Sequence, residues 1–255
     1  MRTPDELRAL AEAYVADLAL TPELGALQES LRYATAGGKR VRATICLATA
    51  EAAGAEAERA LPAAAALELV HAFSLVHDDL PALDDDRERR GRASTWARFG
   101  EAIGILAGDA LLAEAFRLAL TYPTPAVARE LAQATLGMIG GQYLDVTGTA
   151  PDESTLHRLK TGCLFAASVG CGLAAADVPE REETPWRGFG DELGLLFQIV
   201  DDILDGDGYS LSHGADGARR LADEAADRTR ERLAAVPADT SILLEIVDGL
   251  ATRAA

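Results

Sequence analysis

HAFSLVHDDLPALDDDRERRGRAST, residues 71–95, places Asp78, Asp79, Asp84, Asp85 and Asp86 within nine residues and follows them directly with Arg87, Arg89 and Arg90. Upstream, Ala63 to Leu75 is a mostly apolar run rich in Ala and Leu. It reads as a buried helix that carries the acidic cluster at its end. Carboxylates this close repel one another, and partly buried ones are costly without partners. A hard divalent cation such as Mg²⁺ prefers carboxylate oxygens and would relieve that repulsion. Taken alone, the cluster also reads as a solvated acidic loop.

A second cluster argues for the metal. In GLLFQIVDDILDGDG (194–208), Asp201, Asp202 and Asp205 again end an apolar helical run. Asp201 and Asp205 lie about 40° apart on an ideal helix, one turn along the same face. Asp78 and Asp84 would be about 120° apart on such a helix. Pro81 also removes one helical hydrogen bond. The first helix is therefore expected to kink or end near Leu80, bringing Asp84 round beside Asp78.

The 255 residues are enough for a sizeable core, and they are 49% hydrophobic but only 5% aromatic, with Ala and Leu dominant. That composition predicts an all-α fold. No linker, repeat or low-complexity stretch divides the chain, so residues 1–255 read as one helical domain. The net charge of −17 argues against nucleic acid and against anionic membrane surfaces as partners. An anionic substrate would then need metal or a local basic lining. Cys46, Cys163 and Cys171 have no metal-ligand spacing and suggest reduced thiols in a cytoplasmic protein. Asp5, Glu6 and Glu12 interrupt any amino-terminal signal segment. Ile103 to Leu120 is apolar but contains Asp109, Glu114 and Arg117, so a core helix is expected there and no stable membrane insertion. Of the 24 basic residues only Lys39 and Lys160 are lysine.

Helix signals follow one another along the chain. Thr3-Pro4-Asp5-Glu6 caps a first helix and Thr21-Pro22 a second; a third runs from about Lys39 to Ala53. The helix into Asp78 is the fourth, and a fifth spans about Glu101 to Leu120. Thr124-Pro125 opens a sixth, to about Tyr143. Asp152-Glu153-Ser154 opens a seventh, to about Ala176, and Thr184-Pro185 an eighth, to near Asp205; a ninth is expected over 214–235 and a last from Thr240 to Thr252.

Six short stretches in order carry a resemblance. GGKRVRA, LVHAFSLVHDDLPALDDDRERRG, FGEAIGILAGDALL, GGQYLD, LKTG and FQIVDDILD together resemble the polyprenyl diphosphate synthase family, in its short-chain, farnesyl and geranylgeranyl diphosphate synthase type. The likeness covers about Gln28 to Asp207. It implies an isoprenoid-synthase-type helical bundle around a central cavity. It also implies a trans-prenyltransferase that joins isopentenyl diphosphate to an allylic diphosphate by Mg²⁺-assisted ionisation. Three Mg²⁺ ions are expected, on Asp78 and Asp84 and on Asp201, with Asp79, Asp202 and Asp205 in the same metal set. Arg89 and Lys160 match residues that contact the allylic diphosphate. Lys39, Arg42, His71 and Arg90 match those that hold isopentenyl diphosphate, which gives both lysines a site. Thr161 and Gln198 match polar groups that face the carbocation. The released diphosphate takes the final proton, so no side-chain base is required. A homodimer is the family expectation.

Two positions depart from the pattern. Ala43 stands where proline is usual. DGDGYSLSHGADGARR (205–220) replaces a lysine-containing loop that in many relatives helps cover the diphosphate. His71 also reads as a core histidine, and His77 as packing support. Phe73 and Ser74, five and four residues before Asp78, would bracket the end of the product tunnel. The aromatic Phe73 favours the fifteen-carbon farnesyl product, with geranylgeranyl diphosphate as the alternative. A non-catalytic partner subunit of a heteromeric synthase is the different-class alternative.

Overall fold

A computed structural model describes residues 1–254, which are helical almost throughout. The Thr3 hydroxyl accepts the Glu6 amide and the Glu6 carboxylate accepts the Thr3 amide, a reciprocal cap that starts α1 (Pro4–Ala16). Thr21-Pro22 opens a 3₁₀ stretch, Pro22–Leu27, and α2 (Gln28–Thr35) follows it. The third helix, α3 (Val41–Ala52), begins two residues later than expected because Arg40 adopts a left-handed conformation with φ 50°. Arg40 is buried and paired with Glu12 and Glu68, and Glu68 also accepts the Ala43 amide at 3.1 Å. A carboxylate at this positive helix end satisfies a donor that the helix itself leaves free.

The fourth helix, α4 (Ala57–Asp78), is the axis of the bundle. Ala63 through Val70 are all buried, as expected of a helix surrounded on every side. It packs against α3, α6 (Glu101–Ala119) and α9 (Cys163–Ala175). By length and composition α4 could cross a membrane, but 72% of its apolar stretch is buried within the bundle. A contiguous apolar core includes Leu67, Leu111, Phe165 and Phe189, all fully buried. Each such side chain contributes about 1.5–3 kcal/mol by burial.

Three local features differ from the sequence expectation. The Arg-rich segment after α4 folds into a minimal hairpin, β1 (Glu88–Arg89) with β2 (Arg92–Ala93), followed by α5 (Thr95–Phe99). Strands of two residues are too short to show an alternating pattern. The seventh helix is interrupted: α8 (Glu153–His157) and α9 are joined by a wide π turn, Arg158–Gly162. After α7 (Ala126–Thr147) and α10 (Thr184–Asp205), α11 (Gly208–Ala234) starts earlier than expected and breaks at Gly214, where φ is 69°. Finally, α12 (Ser241–Ala251) packs back on α11.

Candidate active site

The loop after α4 turns straight back on the helix end. The Asp84 amide donates to the Asp78 carbonyl at 2.9 Å, and the Asp85 amide to the Leu80 carbonyl at 3.1 Å. The helix thus ends just before Leu80, and Asp84 comes beside Asp78. A cavity of about 690 Å³ lies between α4, α7, α9 and α10, with Asp78 and Asp201 both on its wall. Its lining divides by chemistry. Arg42, Arg89, Arg90 and Lys160 bring positive charge, while Phe73, Leu75, Leu83, Met138, Leu164 and Phe197 are apolar. His71, Ser74 and Thr161 complete the expected residues that it brings together.

The electrostatics of this wall are unbalanced in both directions. Burial, and then the neighbouring Asp84, push the Asp78 carboxyl up to about 6 despite the opposing charge of Lys160. Burial and Asp205 raise Asp201 in the same way. Carboxylates so strained by desolvation and by each other fit a divalent cation. Arg42 is pulled down to about 10 by burial, its guanidinium lies 4.5 Å from the centre of the Phe165 ring, and its Nε is buried without a partner. A buried cation with a free donor is suited to an anionic ligand. Burial and the adjacent Arg42 and Arg90 hold the His71 imidazole well below its ordinary range. His71 therefore offers the cavity a neutral hydrogen-bonding group beside the arginines.

Other expected residues are placed differently. Asp79 is buried, and instead of lining the cavity it accepts Arg89 Nε at 3.0 Å; Arg89 also reaches Asp86 at 3.2 Å. Asp79 thus orients an arginine, because the helix turns it 100° away from Asp78. Gln198 does not line the cavity: its amide donates to Asp202 Oδ1 at 2.6 Å. Asp202 is buried, and its other oxygen accepts the Tyr209 amide at 2.9 Å. Asp84 and Asp205 are exposed near the first residue of each cluster. Lys39 is exposed and lines a separate groove with Thr3 and Arg8, although its charge still acts on Asp201. The Ser74 hydroxyl donates to the His71 carbonyl at 2.9 Å, and Phe73 packs edge-to-face on His77 with 5.0 Å between ring centres.

The π turn presents Lys160 and Thr161 together on the cavity wall. Such turns insert an extra residue and often mark functional sites. Lys160 Nζ is paired with Asp145 of α7. The turn approaches α7 so closely that a Cβ on Gly141 would stand 2.5 Å from the Lys160 backbone nitrogen, which accounts for a glycine there. Asp145 and Gln142 are the residues that sequence reasoning missed. Both amide atoms of Gln142 are buried without partners at the cavity wall. Their signal lay in GGQYLD, where Gln142 and Asp145 are three apart on one helical face.

Known proteins resemble this chain in sequence and in fold. The chain is 42% identical to a geranylgeranyl diphosphate synthase of Cyanophora paradoxa over 70% of its length and 65% of that protein's. It is 39% identical to the farnesyl diphosphate synthase of Bacillus subtilis over 71% of this chain and 67% of the relative. The chain thus spans about two thirds of the length of these relatives. A crystal structure of an FPP/GFPP synthase from Zymomonas mobilis superimposes with a TM-score of 0.85 at 30% identity, covering 97% of both chains. The bundle is accordingly of the isoprenoid-synthase type. The family model described as polyprenyl synthetase matches residues 25–217, and it is to the polyprenyl synthetase family that this chain belongs.

Proposed function

We propose that the chain is a short-chain trans-prenyltransferase that condenses isopentenyl diphosphate with dimethylallyl or geranyl diphosphate. One observation carries the reading: a single cavity combines the ends of two aspartate-bearing helices, four cationic side chains and an apolar lining. That combination suits a molecule with a diphosphate head and a hydrocarbon tail. In the reaction the allylic carbon–oxygen bond breaks, the allylic carbon bonds to isopentenyl diphosphate, and a proton leaves to the released diphosphate. Arg89, fixed by Asp79, and Lys160, fixed by Asp145, place positive charge where the departing diphosphate gathers negative charge. Arg42 and Arg90 offer planar guanidinium groups to the second diphosphate, and Lys39 adds a charge from the rim. Three Mg²⁺ ions on Asp78, Asp84, Asp201 and their neighbours would supply Lewis-acid stabilisation of the departing group. Thr161 faces the site of carbocation formation with an oxygen dipole. Phe73 ends the apolar space and favours farnesyl diphosphate; geranylgeranyl diphosphate is the second reading, supported by the name of the Cyanophora relative.

A homodimer in the cytoplasm belongs to the same reading. Support for the dimer is a set of exposed apolar side chains on α6 and α7 outside the cavity, Ile105, Leu106 and Leu136, and support for the cytoplasm is the three free cysteines. The test is incubation of purified protein with Mg²⁺ and labelled isopentenyl diphosphate, with and without an allylic primer. Primer-dependent label in an acid-labile product is expected, and it disappears with EDTA. No incorporation by the protein alone, with activity appearing only on adding a second synthase chain, would identify a non-catalytic subunit instead.

A further inference from the structure

We propose a second cation site, selective for borderline transition metals over Mg²⁺, formed by Glu153, His157 and Asp202. One ligand atom from each lies within 4.8 Å of the other two. Glu153 and His157 are one helical turn apart on α8 and so share a face. Asp202 reaches them from the end of α10 on the side away from the large cavity, whose wall carries Asp201 and not Asp202.

The decisive atom is His157 Nδ1. It is buried and has no hydrogen-bond partner. Its nearest carboxylate, Asp202 Oδ2, is 3.8 Å away, beyond hydrogen-bond reach. A buried nitrogen left in that state is costly unless water or an ion fills the gap. The separation suits an ion between the two atoms, since ligands about 2.1 Å from a zinc-like cation stand roughly 3–4 Å apart. A small side-chain movement of Glu153 would close the remaining distance; among the described residues only the Ser212 hydroxyl donates to it, at 3.1 and 3.4 Å.

The surroundings support the donors as ligands. Asp202 accepts the Gln198 amide on one oxygen and the Tyr209 amide on the other, which fixes the carboxylate and leaves lone pairs free. The Tyr209 ring packs edge-on against His157, with 5.2 Å between centres, and holds the imidazole plane. One nitrogen with two carboxylates favours zinc, cobalt or manganese, whereas Mg²⁺ prefers oxygen alone and dehydrates reluctantly. Such an ion would join α8 to the end of α10, beside the first turn of α11 where a lysine-containing loop of many relatives is replaced. The site shares Asp202 with the aspartates that the family resemblance places in the Mg²⁺ set and uses none of the others.

Cobalt is the probe. The full chain is held in excess Mg²⁺, which occupies the carboxylates of the large cavity, and Co²⁺ is titrated while visible absorption and binding heat are followed. One Mg²⁺-resistant equivalent of Co²⁺ is expected, with a nitrogen-ligated absorption band. His157→Ala should abolish it, and Glu153→Gln should weaken it at least tenfold. Asp78→Ala should leave it intact. Circular dichroism of each variant confirms the fold. Absence of Mg²⁺-resistant binding overturns the site, as does an unchanged band in both folded variants or a band lost in Asp78→Ala alone.

Discussion

Gly108 on α6 faces His77 on α4, and replacing it with alanine tests how the end of the cavity is built. A Cβ at this position would stand 2.1 Å from His77 Nε2, far inside contact distance. The imidazole has little freedom to retreat. Its Nε2 lies 3.0 Å from the Ile105 carbonyl, and its ring packs on Phe73. Displacing it forfeits about 0.5–1.5 kcal/mol for the hydrogen bond and a similar amount, about 0.5–1.5 kcal/mol, for the aromatic contact. Against this, alanine in a helix interior gains about 0.5–1 kcal/mol over glycine. Gly108→Ala should therefore destabilise the protein by about 1 kcal/mol. In a His77→Ala background the clash is gone, and the same change should stabilise by about 0.5–1 kcal/mol. The coupling between the two sites is then the value of the lost contacts, about 1–3 kcal/mol, above the scatter of independent sites. Urea unfolding of the four proteins, read as midpoints at constant slope, measures it. Equal destabilisation by Gly108→Ala in both backgrounds would refute the argument that His77 fills the notch.

Phe73→Ala should lengthen the product beyond fifteen carbons, seen by chromatography after dephosphorylation; a mainly twenty-carbon wild-type product unchanged by the mutation would remove Phe73 as the floor. Lys160→Ala should lower kcat by about 10²–10³-fold, as loss of a transition-state charge contact does. Asp145→Asn should cost less, since the charge remains and only its placement is loosened; wild-type kinetics in Asp145→Asn would show that the pair does not position Lys160. The Asp78 carboxyl, raised to about 6 from its ordinary value, binds a proton more tightly folded than unfolded. In metal-free protein its contribution to stability therefore grows as pH falls through 6 and is lost as pH rises above it. A cation must displace that proton, so Mg²⁺ affinity by calorimetry should be about tenfold weaker at pH 5 than at pH 7.5, and a pH-independent affinity would contradict it. Leu136→Glu, on the exposed face of α7, should shift the chain to monomer by light scattering if that face is the dimer contact.

Much of the fold was written in local pattern. Pro after a capping threonine, alanine- and leucine-rich runs, and aspartates closing two of those runs each act within a few residues, so α1, α4, α6 and α10 could be read directly. Pro81 similarly foretold the turn that sets Asp84 against the end of α4. The six short stretches likewise pointed to the family. What a linear pattern does not contain is which partner each side chain meets. Asp79 and Asp202 look like Asp78 and Asp201 in the sequence, yet a 100° step turns them out of the cavity wall, toward Arg89 in one case and toward Gln198 and Tyr209 in the other. The π turn at Arg158–Gly162 lays its own backbone against Gly141 of α7 and Gly194 of α10 and leaves no periodic signature of its own. The neutrality of His71 and the raised Asp78 depend on desolvation, which exists only once the surrounding helices have closed. Short-range sterics and hydrophobic periodicity thus determined the elements, and long-range burial decided which of their charged residues do chemistry and which hold the others in place.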